Sequence, residues 1–293
     1  DGHREPMTAG ARSWQALLSD GRARLERAGI DEAETKLRWV AAHVLGCGLL
    51  DVLRFLSEVP APEQAARFAA ALARLETDEP VQYVVGETDF MGLRIRCDAR
   101  ALIPRPETEE LVACAEEFLR GRDRPVVVDV CTGSGCIACA LAKRVPGARI
   151  LATDLSAAAL ELARENARAL GADVEFRQAD LLAGLPEAGA DLVVSNPPYV
   201  ATAEIARLDR TVRAFEPHLA LDGGPDGLRT ISRLVAEAVH VLKSGGMLMM
   251  EIGEDQAEAI EEILCQSSRL QFQRLKSDFA GKCRVATARR CVR

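Results

Sequence analysis

The 293-residue chain lacks any apolar stretch approaching the ~18 residues that a membrane-spanning helix requires, so no membrane association is expected. Residues Asp1 to Met7 are polar and hold no apolar core of a secretory signal. Excess positive charge is also missing. Thirty-seven basic against 44 acidic residues leave −7, a balance that repels a phosphate backbone and argues against a stable nucleic-acid complex. The charge is uneven, since Arg269 to Arg293 holds eight basic residues and one acid, giving that tail +7 and the rest −14. A solvated face of terminal strands is the plain expectation for the tail, and docking of an RNA-associated partner is the rival. Metal-ligand spacing is absent too. His3, His43, His218 and His240 are scattered, and Cys136-x-x-Cys139 has no second pair, so no metal is expected. Nine cysteines cannot all pair, and they do not make a secreted disulfide scaffold. They read as reduced, mostly buried residues in a reducing compartment such as the cytoplasm, an organelle interior being compatible.

What is present fits a globular chain of two domains or one large one, 48% hydrophobic and 28% charged. The first eighty residues read as helices. Trp14, Leu17, Leu18 and Leu25 recur at helical spacing, as do Leu37, Val40, Ala41, Val44 and Leu45. Ser13 and Asp31 are expected N-caps, Gly46 a C-terminal stop, and Pro62 to Leu75 a third helix. Between Pro80 and Ala99 the pattern turns to strands. Val81, Tyr83 and Val85 alternate, Gly86 to Asp89 reads as a turn, and Leu93, Ile95 and Cys97 alternate again. The division expected is a helical domain over 8–78, a β-hairpin linker over 79–100 and an α/β domain over 101–293. From Pro125 onward, strands at 126–131, 149–153, 174–178, 192–195 and 247–252 alternate with helices at 136–144, 157–170, 228–242 and 256–265. Two last strands are expected at 270–275 and 284–288. Such alternation predicts a doubly wound, largely parallel sheet whose ligand site lies beyond the strands' carboxyl ends.

The first of these strands runs through Asp129 into Cys131-Thr132-Gly133-Ser134-Gly135 and then a helix. Glycines there permit positive φ and a close approach of backbone N–H groups to a ligand. Asp154 ends the second strand, 19 residues after Gly135, where a carboxylate can accept both hydrogen bonds of a ribose diol; the alternative for it is a helix N-cap. A dinucleotide and S-adenosylmethionine both remain open. The loop has Cys131 and Ala138 at two of the three G-x-G-x-x-G positions and carries no G-K-[ST], which tilts it toward the methyl donor. Asn196-Pro197-Pro198-Tyr199 decides the matter. It follows the strand ending at Ser195, and its prolines remove N–H donors and leave carbonyls projecting into the cleft. The Asn196 side-chain carbonyl and the Pro197 backbone carbonyl can hold one planar –NH₂ group, and Tyr199 offers a face for stacking. This arrangement suits methylation of an amide or base nitrogen, with no strong base required.

At this tetrapeptide the chain resembles the protein-(glutamine-N5) methyltransferases that modify peptide-chain release factors. The resemblance extends over most of the sequence. It includes Glu79-Pro80-Val81-Gln82-Tyr83 with Gly86 and Phe90, Leu102-Ile103-Pro104-Arg105-Pro106-Glu107-Thr108-Glu109, Phe215-Glu216-Pro217, the 220–228 segment, and Asp278 and Ala280-Gly281 with Arg284-Val285. It implies a Rossmann-like class I S-adenosylmethionine-dependent methyltransferase domain behind an N-terminal helical domain that grips the release factor. By position, Asp129 and Cys131 to Gly135 would surround the methionine part of the donor. Asp154 would hold the ribose, Asp180 and Leu181 would contact adenine, and Asn196 would border the donor. Asn196, Pro197, Pro198 and Tyr199 would hold the substrate glutamine of a Gly-Gly-Gln loop, with Asn196, Pro197 and Tyr199 serving catalysis and S-adenosylhomocysteine as the product. A monomer is expected. Cys131 stands where the family usually has glycine, Leu181 where an aromatic is common, and Cys283 where an acid is more usual. The rival readings are a glutamine methyltransferase of a ribosomal protein, a nucleic-acid amino-methyltransferase, and a non-catalytic module of the same fold.

Overall fold

The computed structural model describes residues 12–278 and 281–292; Asp1 to Met7, Ala280 and Arg293, named above, lie outside them. The chain divides into two compact units, Asp1–Gly86 and Glu87–Arg293. In the first, α1 (Trp14–Arg27) opens on Ser13, whose hydroxyl accepts the Ala16 N–H. Helix α2 (Ala33–Leu45) begins one residue later than the Asp31 cap anticipates. Its N-cap is Glu32, held at φ 54° with no side-chain cap bond, and the helix ends on left-handed Gly46. Helix α3 (Pro62–Leu75) starts with proline at its first position, where a missing N–H costs nothing. Trp14 and Phe68 meet edge-to-face at 5.5 Å in the core of this unit, beside Leu25, Leu37 and Leu75.

The expected strand at 81–85 is instead a single helical turn, α4 (Val81–Val85). Three alternating positions cannot distinguish one turn of helix from a short strand, and here the brackets decide. The Pro80 carbonyl accepts from the amides of Tyr83 and Val84, Gly86 closes the turn at φ 81°, and the Arg74 guanidinium caps the carbonyls of Tyr83 and Val84. The hairpin therefore lies further along, β1 (Glu87–Phe90) against β2 (Leu93–Arg96), and its turn is Met91-Gly92, both at positive φ as a two-residue hairpin turn of right-handed twist demands.

In the second unit α5 (Pro106–Leu119) precedes β3 (Val126–Val130), α6 (Cys136–Arg144), β4 (Arg149–Asp154), α7 (Ala157–Leu170), β5 (Val174–Gln178) and β6 (Ala190–Ser195). A loop region follows with β7 (Val200–Ala201), α8 (Arg210–Phe215), α9 (His218–Leu221) and β8 (Asp222–Gly224). Then come α10 (Arg229–Val241), β9 (Leu242–Glu251), α11 (Ala257–Gln266), β10 (Leu270–Ser277) and β11 (Cys283–Arg290). Seven strands form one sheet in the order β10-β11-β9-β6-β3-β4-β5, parallel from β9 to β5 and antiparallel at β10 and β11. Alternate residues feed opposite layers, as a strand's period of two requires. Val128 and Val130 pack with Ile231 and Leu234 of α10 on one face, while Val127 packs with Leu111 of α5 and Ile137 of α6 on the other. Strand β9 begins at Leu242 rather than Met247, kinked at Gly245 (φ 76°). Order reverses at β3, with β4 on one side and β6 on the other, which puts the sheet's crevice at the carboxyl ends of β3 and β6.

Four basic residues of the C-terminal tail are paired: Arg274 with Glu117, Lys276 with Glu110, Lys282 with Glu254, and Arg284 with Asp278. All nine cysteines are free. Cys97, Cys114, Cys136 and Cys139 are buried, Cys47, Cys131 and Cys283 half-buried, and Cys265 and Cys291 exposed, so their burial is less complete than the sequence led us to expect. Among the described residues no helix is long and apolar enough to cross a membrane.

Candidate active site

The loop after β3 is built on Asp129. This carboxylate is fully buried, and its Oδ2 accepts from the Thr132 hydroxyl at 2.6 Å and the Ala138 N–H at 3.2 Å. Its Oδ1 has no partner. Burial pushes the group up to about 7, against the pull of those two hydrogen bonds. Asp129 is thus a strut beneath the loop and does not line the cleft. Cys131 takes φ 58°, Gly133 φ 54° and Gly135 φ 79°, and a Cβ on Gly135 would sit 3.0 Å from that of Ala163. Glycine is required there on both counts. Buried Asn166 of α7 holds the loop from below, donating to the Ser134 and Arg96 carbonyls and accepting the Arg96 N–H.

Asp154 closes β4 facing this loop. Its Oδ2 accepts the Gly133 N–H at 2.9 Å and its Oδ1 the Ser156 N–H at 2.8 Å, while Ser156 itself caps α7. Burial raises the Asp154 carboxyl, partly offset by these backbone donors. A carboxylate has about four lone-pair sites, so these backbone donors do not exhaust its capacity. A cleft of about 350 Å³ opens in front, lined by Cys131, Thr132, Gly133, Ser134 and Asp154 and, across from them, by Asp180, Leu181, Asn196 and Pro198. Asp180 is exposed and paired with Arg233 at 2.9 Å. Leu181 is buried at φ 52°, and its carbonyl accepts from the Thr153 hydroxyl. Gly135, Pro197 and Tyr199 lie outside the lining.

At the end of β6, Ser195 donates to the Val130 carbonyl, tying the two strands at the crevice. The Asn196 Nδ2 donates to the Thr108 hydroxyl at 3.2 Å, and that hydroxyl donates to Glu251 Oε2 at 2.6 Å. Tyr199 turns its hydroxyl to Glu251 Oε1 at 3.1 Å. Glu251 is 1% exposed, and burial raises its carboxyl against the bonds from Thr108 and Tyr199. Burial raises the Tyr199 phenol as well, with the Glu251 charge adding to it. Gln256 donates to the Tyr199 carbonyl at 2.9 Å, joining this loop to Gly227. There the backbones touch: a Cβ on Gly227 would lie 2.3 Å from the Tyr199 carbonyl oxygen, and one on Gly223 2.8 Å from that of Pro198. Buried Glu216 accepts the Ile103 N–H at 3.1 Å and pairs with Arg105, which lines the cleft. Sequence reasoning gave no role to Thr108, Glu216 or Glu251. A glutamate ending an otherwise apolar strand was the available signal, because a buried carboxylate must find partners.

Glycine-lined backbone, an acidic residue at the end of the second parallel strand and acceptors beyond β6 together fit S-adenosylmethionine, and the fold and site define a class I S-adenosylmethionine-dependent methyltransferase. Residues 111–224 match the methyltransferase small domain and residues 16–86 the PrmC N-terminal domain. The chain is 42% identical to the release factor glutamine methyltransferase of Deinococcus radiodurans over 94% of its own length and 97% of that protein. Identity to the enzyme of the same name from Cereibacter sphaeroides is 42%, over 91% of this chain and 94% of the other. A crystal structure of a methyltransferase from Pyrococcus furiosus shares the fold at 17% identity, with a TM-score of 0.51, covering 79% of this chain and all of that one. The chain belongs to the release factor glutamine methyltransferase family.

Proposed function

We propose that this chain transfers a methyl group from S-adenosylmethionine to the side-chain amide nitrogen of the glutamine in the Gly-Gly-Gln loop of peptide-chain release factors. The observation that carries the reading is Asn196, at the carboxyl end of β6, lining the same cleft as Asp154 and the Cys131–Gly135 loop. Bound in that cleft, the donor supplies an electrophilic methyl on a sulfonium. Asp154 accepts from the ribose hydroxyls, and the loop N–H groups and Asp180 border the rest. Asn196 Oδ1 and the Pro197 carbonyl each accept one hydrogen of the target –NH₂, which draws the nitrogen from planarity and aims its lone pair at the methyl. The nitrogen's proton leaves to water after transfer, so no basic side chain is needed. Fixing the two reactants in line can contribute ~7–11 kcal/mol of barrier lowering. Tyr199 braces the loop beneath the glutamine, and glycines on either side of that glutamine let its side chain enter a narrow cleft.

The N-terminal helical domain, taken as residues 8–78, recognises the release factor in this reading, and Leu50, Leu53 and Val59 give it exposed apolar surface for that contact. The chain acts as a monomer in a reducing compartment such as the cytoplasm and forms no stable nucleic-acid complex, as its −7 charge and paired C-terminal cations favour. Mass spectrometry of a purified release factor incubated with the protein and S-adenosylmethionine tests the reaction: the mass of one methyl group should appear on the Gly-Gly-Gln glutamine. No added mass, with donor binding intact by calorimetry, would overturn the substrate assignment.

A further inference from the structure

Asn196 can serve as an acceptor only if its carboxamide faces the cleft the right way round, and a carboxamide flips at no steric cost. We infer that Thr108 and Glu251 are positioning residues that fix this orientation, an assignment that rests on the proposed reaction. The logic is one of proton supply. The two Glu251 oxygens both act as acceptors, taking the hydroxyl protons of Thr108 at 2.6 Å and Tyr199 at 3.1 Å. With its single proton spent on Glu251, the Thr108 oxygen can offer Asn196 only a lone pair. It therefore accepts from Nδ2, at 3.2 Å, and Oδ1 is left as the end directed at a substrate amide. Thr108 and Glu251 are 2% and 1% exposed, so no water competes for these bonds. The same carboxylate pins the Tyr199 ring, so one buried acid sets both ends of the Asn196–Tyr199 loop.

Glu251→Gln supplies an N–H₂ where an acceptor stood. That group donates to Thr108 or Tyr199, releases the Thr108 proton toward Asn196, and lets the carboxamide turn Nδ2 into the cleft. Thr108→Val keeps the shape and removes the relay, whereas Thr108→Ser keeps the hydroxyl. The measurement is steady-state methylation of a release factor by the full chain, with S-adenosylhomocysteine affinity by calorimetry in parallel. Glu251→Gln and Thr108→Val should each lower kcat about 10- to 100-fold, the range expected for a misaimed positioning group. KM should change far less, S-adenosylhomocysteine affinity should stay within about twofold, and Thr108→Ser should recover most of the rate. Wild-type kcat in Thr108→Val, or a loss in Thr108→Ser as large as in Thr108→Val, would overturn the inference alone. Parallel loss of S-adenosylhomocysteine affinity would reduce the pair to a structural role and overturn it too. No transfer by the wild-type chain would overturn the reaction and the inference together.

Discussion

Cys131 occupies the left-handed region at φ 58°, the first residue beyond β3, where glycine would sit without strain. A Cβ in this region costs roughly 1–2 kcal/mol, whereas in ordinary strand or helix backbone glycine is the less stable choice by ~0.5–1 kcal/mol. Replacing Cys131 by Ala or by Gly separates the two contributions. Both variants lose the half-buried sulfur and its packing against the core beneath α10, but only Gly also loses the strain. The usual ranking should therefore invert, with Cys131→Gly more stable than Cys131→Ala by about 1 kcal/mol. For a unit of this size that corresponds to roughly 2–4 °C in Tm, well within reach of a thermal melt followed by circular dichroism. If Cys131→Ala melts higher than Cys131→Gly, the backbone at this position is not left-handed in solution and the account of the loop fails.

Removal of the Asp154 carboxylate (D154A) should weaken S-adenosylmethionine binding by ~1.5–3 kcal/mol, roughly 10- to 150-fold, and an unaltered Kd in calorimetry would place the ribose elsewhere. Asn196→Ala should abolish methyl transfer while donor Kd stays within a few-fold, and unchanged turnover would refute its role. Asp129 also predicts a pH dependence. Its folded-state value of about 7 lies above the ~3.9 of an unfolded aspartate, so the folded chain holds an extra proton between them. The associated stability is complete below the unfolded value and is lost as pH rises through 7. Melting temperature should fall across that window in the wild type and more shallowly in Asp129→Asn; equal slopes in the two proteins would refute the assignment.

The central parallel strands β3, β6 and β9 were legible because they lie inside the sheet and hold short apolar runs, Val126 to Val128, Leu192 to Val194 and Met247 to Met250. The helices α3, α6 and α7 emerged at their observed bounds, since proline or glycine punctuates at least one end of each. Local ambiguity defeated the reading at Val81–Val85, where a three-position alternation competed with capping by Arg74, which no pattern within 81–85 contains. Asp31 failed as a cap because the chain enters α2 through a left-handed Glu32. The cleft-facing loops followed from glycine and proline placement, which acts through neighbouring backbone. What underlies them did not. Thr108 and Glu251 are 143 positions apart, and their meeting depends on α5 lying against β9, a long-range arrangement without a short-range signature.

The main-chain contact between the Pro198–Tyr199 segment and Gly223–Gly227 bears on how this cleft can be redesigned. With carbonyl oxygens pressed where any side chain would stand, that wall has no adjustable thickness: its position follows from peptide geometry alone. Altering the enzyme to admit a bulkier amide is instead a task for side chains that line the cleft, such as Leu219, which can be shortened or exchanged.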